Sequence, residues 1–128
     1  MDLKIILIFF VIIILVIYTK NIYESKNNIH KKHINKLVRQ AARWSVAAQQ
    51  DESPIIALLH ANYGAGFLWA LRDIASDQEI EEATGINVPV FVKKITDVQD
   101  GATKRVSKAC PQFVGDLDRY LLTLGGDA

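Results

Sequence analysis

The sequence predicts an all-α protein, with a single N-terminal transmembrane helix followed by a small bundle of four to five helices. Three observations carry this. Residues 5–18, IILIFFVIIILVIY, run without a polar break. Beyond residue 34, apolar side chains recur three and four apart through several stretches, which is the period of one face of a helix. No segment alternates apolar and polar between turn residues as a half-buried strand does. The reading divides the chain into an anchor at 1–19, a basic juxtamembrane connector at 20–36 and a helical bundle at 37–128.

Leu3 and Thr19 extend the apolar run to seventeen residues. At about 1.5 Å per residue that is roughly 25 Å, a little short of a ~30 Å hydrocarbon core. Lys4 and Lys20 at the two ends can snorkel to cover the difference. Tyr18 and Tyr23 stand where interfacial aromatics belong. A cleaved signal peptide is the rival, but the sequence after the run, Tyr-Thr-Lys-Asn-Ile-Tyr-Glu-Ser, has no Ala-x-Ala pattern. The expectation is an uncleaved signal-anchor, crossing once.

Charge then sets the orientation. Net charge is +1, yet residues 20–43 carry seven Lys/Arg against one acid, and residues 44–128 carry seven against twelve. A Lys-rich flank marks the cytoplasmic side, so the bulk of the chain is expected in the cytoplasm. Lys20, Lys26, Lys31, Lys32 and Lys36 are the expected lipid-contact residues, since cations beside a span attract anionic lipid at about 1 kcal/mol each. Nucleic acid is a weaker partner for this strip. Tyr23 is its one aromatic, and the domain beyond it is acidic.

Apolar positions 34, 37, 38, 41, 42, 46 and 48 predict a helix to Gln50, starting near Ile29 or Ile34 or continuing straight from the span. Ser53-Pro54 is a start signal, with Ser as N-cap and Pro in the first turn. The run that follows, IIALLHANYGAGFLWALRDIA, is apolar nearly all round and is expected at the centre of the bundle. His60, Asn62 and Arg72 argue against its being a second span. Ala57, Ala61 and Ala65 repeat every four residues, and Gly66 and Ala70 do so on the neighbouring row. These five are the expected helix-packing residues, within the chain or between copies. Gly64 and Gly66 weaken a helix by up to about 1 kcal/mol each, so they imply either close packing or a break near Tyr63.

Ser76-Asp-Gln-Glu79 fits a capping box and opens a short acidic helix closed by Thr84-Gly85. Asn87 caps the next helix, with Pro89 in its first turn. Val88, Phe91, Ile95, Val98, Ala102, Val106 and Ala109 form its apolar stripe, with Gly101 as a weak point. Pro111 ends it, and a last helix is expected from about Gln112 to Leu124 before Gly125-Gly126.

No reactive constellation emerges. His30 and His33 share a helix face, but two ligands do not make a zinc site. His60 can act as a base only with a carboxylate and a cleft. Gly64-Ala-Gly66-Phe-Leu-Trp69 lacks the third glycine and the preceding strand of a dinucleotide loop. Cys110, the only cysteine, is expected as a small buried residue. The acids at 77, 79, 81 and 82 lack calcium-loop spacing. The reading is therefore a membrane-tethered interaction or structural module with no cofactor, metal, catalytic residue or small-molecule substrate assigned. Its partners are anionic lipid and a protein or second copy. A small membrane-bound enzyme built on His60, and a viral or organelle protein that recruits nucleic acid, are the alternatives.

Overall fold

The computed structural model describes residues 2–113. Within them lie four α-helices and a short 3-10 turn, with no strand: α1 (Leu3–Gln50), α2 (Pro54–Ile74), α3 (Asp77–Thr84), α4 (Val88–Ala109) and the turn Pro111–Phe113. The expected final helix lies outside the described residues from 114 onward.

α1 is one helix of 48 residues, about 72 Å long at 1.5 Å per residue. Nothing in it breaks a helix, because it contains neither Pro nor Gly. The basic stretch read as a connector is therefore helix throughout. Its polar residues change the solvent preference of the rod without interrupting its backbone. Thr19 returns its hydroxyl to the Val16 carbonyl at 3.0 Å, and Lys20 pairs with Glu24 one turn on at 3.8 Å.

Ile34 is the first fully buried residue of α1, followed by Ala41, Ser45 and Ala48. The three-residue link 51–53 turns the chain back, so α2 runs antiparallel to α1 and packs along it. Asp51 closes α1 by donating its backbone N–H to the Ala47 carbonyl. Ser53 precedes Pro54 as expected, but its side chain makes no capping bond.

The short helix α3 has the full capping box. The Ser76 hydroxyl accepts from the Glu79 N–H, while Ser76 N–H and hydroxyl both donate to the Glu79 carboxylate at 2.8 Å. Gly85 ends it at φ 72°, a left-handed conformation that glycine adopts at no steric cost. Asn87 caps α4 through its side-chain oxygen, which accepts from the Val90 N–H. α4 then runs parallel to the second half of α1, against α2. It passes through Gly101 without a break, as α2 passes through Gly64 and Gly66.

The core tapers. Near Ile34 it is bulky, with Ile34, Leu71, Ile80 and Val88 fully enclosed. Ala41, Ala65, Leu68 and Ile95 fill the middle. Near the 51–53 link the buried cluster is Ala48, Ala61 and Ala102, with Leu58 and Val98 partly buried against it, so the helices there approach largely on small side chains.

By length and composition, α1 and α2 are each apolar enough to cross a membrane. They differ in packing. The apolar window of α1 has no buried residue, whereas a third of that in α2 is buried.

Candidate functional site

A polar cluster that joins α1, α2 and α4 through the 51–53 link lies at the narrow end of the bundle. His60 is on the second turn of α2, and Asp51 is in the link just before that helix. Their Nδ1 and Oδ2 atoms are 2.6 Å apart. Both side chains are about three-quarters shielded. Trp44 of α1 stacks on His60 at 5.0 Å with a 43° tilt and meets Tyr63 edge-on at 5.2 Å. The Arg43 guanidinium lies 5.8 Å over the Trp44 ring. From α4, Arg105 donates to the Asp51 and Glu52 carbonyls at 3.0 and 3.1 Å.

Chemically this is a clamp on the link. Asp51 is held through its side chain by α2 and through its carbonyl by α4. The carboxylate beside His60 comes from the link rather than from another helix. It orients the ring as a carboxylate orients a catalytic base. Among the described residues, however, no hydroxyl or thiol is hydrogen-bonded to His60, so nucleophile activation has no second member here. The sequence hid this pairing because Asp51 reads as a helix stop. The one local signal was spacing: an acid nine residues before His60, with a turn between them.

Asn62, the second polar residue of α2, accepts from the Gln99 side chain at 2.9 Å and ties α2 to α4. Asn35 does the same between α1 and α3, donating to the Ala83 carbonyl at 3.1 Å.

The five small residues of α2 fall on two different faces. Ala57, Ala61 and Ala65 are buried against the rest of the bundle. Gly66 is exposed and Ala70 is half-buried on the other side. Gly64, which the sequence left undecided, is the true close approach. A Cβ there would meet the Ser45 Oγ at 2.4 Å and the Ala41 carbonyl oxygen at 3.1 Å. Among the described residues a Cβ on Gly66 would meet nothing within 4 Å.

Lys20, Lys26, Lys31, Lys32 and Lys36 are all exposed on α1. The last three, with Arg39, form a basic flank beside Asn28 and Asn35, close to the start of the bundle. α3 sets acids near them. His30 Nε2 lies 3.6 Å from the Glu79 carboxylate. The Ser76 backbone N–H, its hydroxyl and His30 together hold the Glu79 carboxyl below the usual range. Glu81 accepts from the Val88 N–H and Glu82 from Gln78, so these acids brace helix ends. His33 is exposed. Among the described residues no three His, Cys, Asp or Glu side chains converge on a common point. Cys110, expected to be buried, is half-buried at the end of α4. Comparison with protein-family models, curated proteins and solved structures finds no match to this chain.

A groove between α1 and α4 is floored by Ser45, Ile95 and Ala102 and rimmed by Lys94, Asp97 and Arg105. Apart from the apolar run of α1, an apolar surface lies on α2, on the side away from the core. Ile55, Ile56, Leu59, Tyr63, Trp69 and Ile74 are each 42–50 % exposed.

Proposed function

We propose that the protein is a membrane-tethered helical interaction module: a single-pass anchor, a rigid basic stalk and a small helical head on the cytoplasmic side. The observation that carries the reading is the division of α1. Residues 3–19 expose apolar side chains all round the axis and bury none of them among the described residues, while residues 34–50 place one stripe in the bundle. Moving a large apolar side chain out of water is worth about 1.5–3 kcal/mol. A run with fourteen such side chains exposed, Leu3 and Tyr18 among them, calls for a nonpolar solvent. The second apolar helix, α2, already has its inner face occupied, and it carries His60, Asn62 and Arg72. It serves as a bundle element.

A continuous stalk narrows the expected lipid contacts. With Lys20 at the headgroups and α1 upright, Lys26 stands about 9 Å farther out, Lys31 about 17 Å and Lys36 about 24 Å. The screening length at physiological salt is about 8 Å. Lys20 and Lys26 are then the lipid-contact residues. Lys31, Lys32 and Lys36 serve the head, where they present positive charge to an acidic protein partner.

Alkaline carbonate extraction of membranes tests the anchor. The chain is expected to stay with the bilayer, and its release into the wash would refute the tether. Protease added to the cytoplasmic side is expected to remove the head, and protection of the head there would refute the orientation.

A further inference from the structure

The outer face of α2 carries a lengthwise row of exposed side chains, a seam that is mostly apolar. Ile56, Leu59, Tyr63, Gly66, Ala70 and Asp73 are spaced 3-4-3-4-3 along it, which is the heptad spacing of a helix that meets another helix lengthwise. Ile55 and Trp69 flank the seam on one side and Ile74 on the other. The large apolar members are close to half exposed: Ile56 42 %, Leu59 43 % and Tyr63 46 %. Among the described residues nothing lies within 4 Å of a Cβ on Gly66, which leaves room there for a second backbone.

We infer that this seam is the contact between two copies of the chain standing side by side, α2 against α2 in parallel. The orientation in this inference rests on the tethered reading above; the contact itself rests on the seam. The direction of α2 selects the occupant. α2 runs antiparallel to α1, so the seam follows the axis of the rod. A bilayer that receives the apolar end of the rod lies across that axis and has no way to cover the seam. A second copy held by the same anchor brings its own seam to the same height, residue opposite residue. Leu59 and Tyr63 then fill the space beside the close approach at Gly66 and Ala70.

Size agrees with a tether-assisted pair. Half-exposed side chains of roughly 150–250 Å² each leave about 600 Å² per copy, or about 1,200 Å² in the pair, the lower edge of specific interfaces. Asp73 ends the seam, and two facing carboxylates weaken that end. Anchoring in one membrane raises the effective concentration and offsets a modest affinity.

The test uses the full chain in vesicles, with Cys110→Ser to remove the native thiol. Gly66→Cys is expected to form a disulfide-linked dimer under mild oxidation, and Ile56→Cys to link to the same position of its partner. Gly101→Cys, exposed on α4, is the control and is expected to stay monomeric. Adding Leu59→Glu to Gly66→Cys is expected to cut the cross-linked fraction at least about tenfold while circular dichroism stays unchanged. Cross-linking at 66 no faster than at 101, or no loss with Leu59→Glu, overturns the pairing. Linkage of Ile56→Cys to Ile74→Cys in a mixture, in preference to itself, overturns the parallel arrangement. Carbonate extraction of the same vesicles separates the two proposals. An embedded chain that fails to cross-link keeps the anchor and loses the pairing. A chain that washes off yet cross-links at 66 keeps the pairing and loses the anchor.

Discussion

The two halves of α1 share one backbone and one set of helical dihedrals, yet their side chains describe different surroundings. Residues 3–18 show apolar groups at every angle around the axis, all but Ile6 and Lys4 among the large exposed apolar side chains. From Ile34 to Ala48 the apolar groups draw into a stripe, and every fully buried position carries a partner from α2 or α4. A helix apolar all round calls for a nonpolar medium, while a striped helix makes its own from its neighbours. The lesson is that helix formation is common to both halves and carries no information about function. The angular distribution of apolar side chains does.

That contrast is broken most strongly from the striped side. Leu71→Ala removes a fully enclosed side chain at the bulky end of the core and is expected to cost about 2–5 kcal/mol, read by chemical denaturation of the head. Membrane retention should be unaffected. The converse change is Ile12→Arg, expected to cost about 2.5–3.5 kcal/mol at the centre of a span. It should move the chain into the soluble fraction and leave the melting of the head unaltered. If either substitution affected both readouts equally, the two halves would not be independent.

Smaller changes sharpen the boundary. Gly64→Ala forces a methyl toward the Ser45 hydroxyl and the α1 backbone and is expected to destabilise the head by about 1–3 kcal/mol. Ser45→Ala in the same chain should recover part of it. The Ser45 hydroxyl is itself buried with no hydrogen-bond partner among the described residues, so its removal costs little. Ser76→Ala should cost about 1 kcal/mol by unmaking the capping box. Glu79 adds a pH signature. Its folded carboxyl titrates below its ordinary value, so its contribution is complete above that value and fades as pH falls through the folded one. Ser76→Ala should lessen that acid-side loss in a pH series of thermal melts without abolishing it, because the Ser76 backbone N–H and His30 remain. Gly101→Ala, open to solvent in mid-helix, should stabilise by about 0.5–1 kcal/mol.

Much of the fold was legible in the sequence. Ser53-Pro54, Ser76 to Glu79 and Asn87 with Pro89 mark the starts of α2, α3 and α4 because capping and proline chemistry are local. The stripe of α4 was legible from Val88 to Val106, although Ala109 proves exposed. Residues 20–33 were harder, because a polar segment with no breaker gives no periodic signal and still continues a helix begun on either side. The two small-residue rows of α2 could not be ranked. Ala61 and Gly66 both permit close approach, and which one faces α1 depends on the rotation of the whole helix. Asn35–Ala83 joins residues brought together by folding and leaves no local trace, while Asp51–His60 leaves only its nine-residue spacing across a turn.

An unbroken rod also couples distance to azimuth. Each residue of α1 between the apolar run and Ile34 advances the head by about 1.5 Å and turns it by about 100°. Removing two residues from 21–33 would swing the outer face of α2 to nearly the opposite compass bearing. Removing seven would lower the head by about 10 Å and return it within about 20° of its first heading. The length of this polar segment is therefore a phase setting between the apolar run and the head.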